Sequence, residues 1–136
     1  MAIPTDPDLI YFRKRIRILN ALGPYLRENN CQPTYFYFDC FSVCIDANAE
    51  PEERQFYGWW LEMELVGNTF EYHYQFGTYN KAGEWMVTPI PKTFQQDVTQ
   101  SLNAFYEKLF VCLTEQLHCN LKPSAILAKT LILSAA

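Results

Sequence analysis

Few side chains in this sequence are of the types that perform covalent or metal chemistry, and their spacing limits what they can do. The histidines are His73 and His118, and the cysteines are Cys31, Cys40, Cys44, Cys112 and Cys119. On a strand, Cys40 and Cys44 would share one face about 13 Å apart, at about 3.3 Å per residue. That is beyond the reach of a disulfide or of one tetrahedral metal. Cys112 and Cys119 stand two helical turns apart, about 10 Å. No zinc spacing results, so the thiols read as reduced, buried packing groups. No phosphate-cradling glycine loop, nucleophile elbow or HExxH helix occurs. Glu62 and Glu64 fall on one strand face and His73 on the polar face of the next strand, which is ordinary for a solvated surface. The residues therefore point to neither an enzyme, a cofactor nor a metal.

A different chemistry, docking to another protein, is suggested by the run "PEERQFYGWWLEMEL" from Pro51 to Leu65. Phe56, Tyr57, Trp59 and Trp60 crowd five positions, led by Arg54 and interrupted by Gly58. Strict alternation puts Phe56 and Trp59 on opposite faces. A bulge or late strand start at Gly58 would turn them to the same side. With Arg54, that gives the aromatic-plus-arginine composition of an interface anchor. Two other readings stay open: the aromatics fill the core, or they line a pocket for a small ligand. Asp39 also stands out, as a carboxylate in an otherwise apolar strand that needs a partner if buried. Arg54 is the expected partner. Otherwise Arg54 lies in the loop before the Trp strand, exposed for a carboxylate on another protein and ordered on binding.

The elements that must position these groups follow from periodicity. In "TDPDLIYFRKRIRILNALGP", Thr5 or Asp6 caps a helix with Pro7 in its first turn, and Gly23 and Pro24 end it. "TYFYFDCFSVCID" is apolar on both faces apart from Asp39, which predicts a strand covered on both sides. Polar residues 47–55 then lead into the Trp strand, whose apolar face is Tyr57, Trp59, Leu61, Met63 and Leu65. "VGN" turns into "TFEYHYQF", with Phe70, Tyr72, Tyr74 and Phe76 facing one way. "NKAGE" leads to the short strand "WMVTPI". From Thr93 to about Leu117, Phe94, Val98, Leu102, Phe105, Leu109 and Leu113 define one long amphipathic helix. The result is a single α+β domain over 1–136: an antiparallel meander of about four to five strands flanked by an N-terminal and a long C-terminal helix. The tail "NLKPSAILAKTLILSAA" is ambiguous; from about residue 123 it is a candidate mobile segment, and its apolar run is too short to span a membrane.

Composition agrees with one domain. The chain has 136 residues, 49% hydrophobic and 16% aromatic, enough for a substantial core and a β-rich fold. A formal net charge of −4 argues against unaided nucleic-acid binding. The one basic cluster, Arg13, Lys14, Arg15 and Arg17, reads as a solvated helix face. No leader-like apolar stretch occurs near the N-terminus, so a cytoplasmic location, where thiols stay reduced, is expected.

From about Ala21 to Pro123 the chain resembles the Crl family of bacterial sigma factor-binding proteins. The resemblance rests on "ALGPYLRE", "FDCFSVC", "PEERQFYGWWLEMEL", "YQFGTYNKAGEW" and "FYEKL", in this order and at these spacings. It implies a monomeric, non-enzymatic regulator without cofactor that does not bind DNA directly. Such a protein binds the stationary-phase sigma factor, sigma S, chiefly through its domain 2. Binding favours assembly with core RNA polymerase, with a further contact to the β′ clamp, and so raises transcription of stress and curli genes. By the same resemblance Tyr25, Phe56, Trp59 and Trp85 are the sigma-binding aromatics. Arg54 is the arginine that meets an acidic Asp-Pro-Glu motif, and Asp39 is a supporting acid. Two departures stand out: Tyr57 where a Trp is usual, and a tail after Pro123 more apolar than the family's charged ends.

Overall fold

The protein is seen in a computed structural model that describes residues 7–125. Helix α1 spans Pro7–Asn20, and the strands are β1 (Tyr35–Cys44), β2 (Phe56–Val66), β3 (Thr69–Tyr79) and β4 (Trp85–Val87). Helix α2 spans Lys92–Glu115, and β5 (Asn120–Pro123) follows it. Single 3-10 turns occupy Glu28–Asn30 and Pro51–Glu53. The expected caps Thr5 and Asp6 lie outside the described residues, as does most of the apolar tail.

The sheet runs β1-β2-β3-β4, every neighbour antiparallel, and β5 adds to β3 in parallel. The expected α+β meander with an N-terminal and a long C-terminal helix is therefore present. Its fifth strand was not foreseen as one: it lies in the segment whose pattern was ambiguous, and four residues carry too little alternation to announce a strand. α2 supplies the long crossover that a parallel neighbour requires. It ends with His118 at φ 53° and the Cys119 N–H bonded back to the Leu113 carbonyl at 2.9 Å, which satisfies a terminal carbonyl of the helix.

Both helices bury their apolar stripes against one side of the sheet. Ile16 and Leu19 of α1, together with Val98, Leu102, Phe105, Leu109 and Leu113 of α2, join Phe36, Phe38, Trp59, Leu61, Met63, Phe70 and Tyr72 in one cluster. The period-2 reading of β2 and β3 assigned these inward residues correctly. For β1 it did not: the strand is covered by helices on one face rather than two. Its other face carries Tyr35 and Tyr37, half-buried with no α-helix above them among the described residues. Two tyrosines mimic a buried strand because their rings are apolar while their hydroxyls reach polar neighbours.

β1 also breaks register. Cys40 pairs with Trp59 and Val43 with Tyr57, so one extra β1 residue is accommodated there. β2 and β3 stay in unbroken register from Phe56↔Tyr79 to Val66↔Thr69. The bulge is thus in β1, opposite Gly58, and not in β2 as expected. Gly58 is needed because a Cβ there would lie 1.9 Å from the Cys40 carbonyl oxygen. The bulge changes the parity of β1, so Val43 packs on the core with Cys40, while Cys44 falls opposite Phe56. Cys40 and Cys44 therefore do not share a face.

Candidate protein-docking site

The uncovered face of the sheet divides into a polar half and an aromatic half. In the polar half, Glu62 and His73 are direct cross-strand partners and form an ion pair. The hydrogen bond from His73 is the main influence on Glu62. With a smaller one from Tyr35 it outweighs partial burial and holds the carboxyl below the ordinary glutamate range. Burial, followed by contact with Glu62, pushes the Tyr35 hydroxyl up; burial, then Asp39 and Glu62, does the same for Tyr37. These tyrosines stay neutral donors at any physiological pH.

The aromatic half is built on the bulge. Phe41, on β1, stacks on Phe56 with ring centroids 5.1 Å apart, and approaches Tyr79 at 4.4 Å and Trp85 at 5.9 Å. Trp85 in turn meets Trp60 at 5.1 Å and Tyr79 at 5.3 Å. Phe41 keeps 39% of its surface exposed, and Val87, on the same side of β4 as Trp85, is 67% exposed. Soluble domains seldom leave so contiguous an apolar area uncovered without using it. The turn before Trp85 is stiffened by Asn80, whose side-chain oxygen accepts from the backbone N–H groups of Ala82 and Glu84.

Asp39 stands behind these rings, 5% exposed. One oxygen accepts from Arg27 Nε at 2.5 Å and the other from the Trp85 indole N–H at 3.0 Å. The Arg27 guanidinium also lies over the Phe41 ring, 5.5 Å from its centroid. The buried carboxylate is thus compensated, as its burial demands, but by Arg27 and not by Arg54. Beside it lies an open depression of about 940 Å³ lined by Arg27, Tyr37, Asp39, Phe41, Tyr79 and Trp85 among others.

Arg54 is held elsewhere. Its Nε donates to the Ala49 carbonyl at 3.0 Å and its Nη2 to the Ala47 carbonyl at 3.2 Å, which fastens the side chain to its own loop. Of five guanidinium N–H groups, three remain without a partner among these contacts. Among the described residues Arg54 meets no carboxylate, and its side chain is oriented within its own loop.

The residues expected to form one site divide between the two faces. Asp39, Phe56 and Trp85 come together on the open face. Trp59 is fully buried on the other, stacked on Tyr25 at 5.9 Å and packed on Phe105 at 5.1 Å. Its indole N–H donates to Ser101 on α2 at 2.9 Å. Phe56 and Trp59 thus point to opposite sides, because the bulge that would have aligned them is absent from β2. With Trp59 fully buried on one face and Trp85 on the other, the two do not line a common pocket of the kind the small-ligand reading needs. Sequence reasoning missed Arg27, Phe41 and Tyr79. The signal for Phe41 was its shared parity with Asp39; nothing local singled out Arg27. Among the described residues no three metal-ligating side chains converge, and no helix is long and apolar enough to cross a membrane.

Comparison with known proteins adds the family to this geometry. A family model described as "Sigma factor-binding transcriptional regulator Crl" matches residues 5–131. The chain belongs to the Crl family. Similar proteins, each named "Sigma factor-binding protein Crl", come from Photobacterium profundum and two Vibrio species. That of Photobacterium profundum is 41% identical over 117 residues, covering 86% of this chain and 88% of the relative. Those of Vibrio vulnificus and Vibrio cholerae are 42% and 37% identical, covering 71% and 72% of this chain and 75% and 76% of theirs. The Crl match, residues 5–131, reaches beyond the Ala21–Pro123 resemblance at both ends and takes in α1.

Proposed function

We propose that this protein binds the stationary-phase sigma factor, sigma S, through that factor's domain 2. By doing so it promotes association of sigma S with core RNA polymerase and activates stress and curli genes. The single observation that carries the reading is the exposed aromatic face of Phe41, Phe56, Tyr79 and Trp85, with Arg54 oriented two residues before Phe56. Aromatic rings give large rigid contact area at low entropic cost, and a guanidinium with donors to spare recognises carboxylates by paired, charge-assisted hydrogen bonds. An acidic Asp-Pro-Glu motif on the sigma factor is the complementary element for Arg54. Phe56 and Trp85 contact the partner directly. Asp39 acts by orienting Trp85 and Arg27. Tyr25 and Trp59 act from the covered face, by holding the sheet on which the contact is built.

The mechanism is thermodynamic, with no bond made or broken. Binding favours a sigma conformation competent for the polymerase, and the shift equals the difference in affinity for the two conformations. A smaller contact to the β′ clamp adds to it by tethering. The protein acts as a cytoplasmic monomer, without cofactor and without direct contact to DNA. The test is calorimetric titration with sigma S and with the housekeeping sigma factor. Saturable 1:1 binding to sigma S alone supports the reading; equal binding to both, or to neither, overturns it.

A further inference from the structure

The β1 bulge is fastened from behind. Ser101 on α2 spends its single hydroxyl proton on the Val98 carbonyl, 2.8 Å away, and accepts the Trp59 indole N–H at 2.9 Å. The Ser42 hydroxyl lies 2.7 Å from the same oxygen. Either oxygen can donate across that contact; with the Ser101 proton on Val98, Ser42 donates to Ser101 in preference to the more distant Cys40 Sγ at 3.6 Å. Every polar hydrogen of this small cluster then has an acceptor, which is the condition for a part-buried polar network to fix geometry rather than loosen it.

Ser42 is one of the residues inside the register shift between Cys40 and Val43, and its immediate neighbour is Phe41. Successive strand residues point to opposite faces. Alternation breaks between Ser42 and Val43, which both turn to the helices, but it holds from Phe41 to Ser42. The Ser42 hydroxyl meets α2 while the Phe41 ring lies among Phe56, Tyr79 and Trp85, so tying Ser42 to α2 ties the backbone that carries Phe41. Gly58 holds the bulge from the β2 side, where the Cys40 carbonyl approaches too closely for any Cβ. We propose that Ser42 and Ser101 are positioning residues: together with Trp59 they latch the β1 bulge to α2 and so set the place of Phe41 in the partner-binding face. This also gives the fully buried Trp59 a route to partner recognition that needs no direct contact. The latch concerns the geometry of the free protein, and its consequence for affinity rests on the sigma S reading.

The decisive variants are Ser101→Ala, which removes the shared acceptor, Ser42→Ala, which removes one donor, and Ser101→Thr, which keeps the hydroxyl. NMR amide signals of Phe41 and Gly58 and the indole signal of Trp85 report the bulge and the open face without any partner. Both alanine variants are expected to shift the Phe41 and Trp85 signals, and Ser101→Thr to restore them. Affinity for sigma S should fall roughly five-fold in Ser42→Ala, the scale of one hydrogen bond, and recover in Ser101→Thr. Folded Ser42→Ala protein with unmoved Phe41 and Trp85 signals would overturn the latch. Moved signals with unchanged affinity would overturn its role in recognition. Failure of the unaltered protein to bind sigma S would contradict the functional reading instead, with the NMR result still deciding the latch.

Discussion

The two faces of the sheet use the same residue types for opposite ends. On the covered face, Trp59, Phe36, Phe38 and Phe70 are fully buried beneath α1 and α2. On the open face, Phe41, Phe56, Tyr79 and Trp85 form an equally aromatic cluster with no helix above it among the described residues. Adjacent residues in one strand, Trp59 and Trp60, belong to different faces, so residue type alone does not tell anchor from core. Parity tells them apart: along β2 it runs unbroken, and along β1 it changes at the bulge.

The comparison is most sharply tested at the tryptophans. Trp59→Ala should destabilise the fold by about 3–5 kcal/mol in urea or thermal denaturation, the cost of emptying a large core site. Trp60→Ala should cost about 1 kcal/mol, as expected for a partly exposed site. Equal losses would mean that the two faces are not distinct in energy.

Next in size is a change that spares the fold. Arg54→Glu should lower affinity for sigma S by at least about thirty-fold, because it replaces an attraction with repulsion. Its melting temperature should stay near that of the unaltered protein, since the bonds lost are to Ala47 and Ala49 in a surface loop. Undiminished binding by a folded Arg54→Glu protein would remove Arg54 from the contact.

The cysteines offer a smaller contrast. Cys40 packs against the core and Cys44 does not. Cys40→Ala should cost about 1–2 kcal/mol and Cys44→Ala less, with no metal released from either. Stoichiometric zinc in the purified protein would contradict their role as packing groups.

The smallest effect is a pH dependence on the polar half of the open face. His73 holds the Glu62 carboxyl below its ordinary value of 4.5. A depressed carboxylate contributes stability that is present above the ordinary value and lost as pH falls through the lowered one. Denaturation curves across that acid range should therefore fall less steeply for Glu62→Gln than for the unaltered chain. Identical slopes would show that the pair adds nothing.

Much of this was legible in the sequence because burial imposes period. The inward residues of β2, β3 and α2 followed from alternation and from helical spacing, and the antiparallel order from short turns such as "VGN". What was not legible depends on contacts distant in sequence. The bulge was expected at Gly58, since glycine marks one; the glycine instead makes room for a bulge in the strand opposite. Asp39 was correctly seen to need a cation, yet Arg27 reaches it because residues 25–27 run beside β1, with Leu26 bridged to Phe38. That pairing leaves no trace in local pattern. β5 likewise forms only because α2 delivers residues 120–123 to the edge of β3.

The central claim is that the open aromatic face, and not the covered one, makes the contact with the sigma factor. Calorimetric titration of sigma S domain 2 into the Phe41→Ala/Phe56→Ala double variant, alongside its denaturation curve, tests this most directly. The expected result is a folded protein whose affinity has dropped by at least about a hundred-fold, the scale of losing two aromatic anchors. A folded double variant that binds as tightly as the unaltered chain would contradict it.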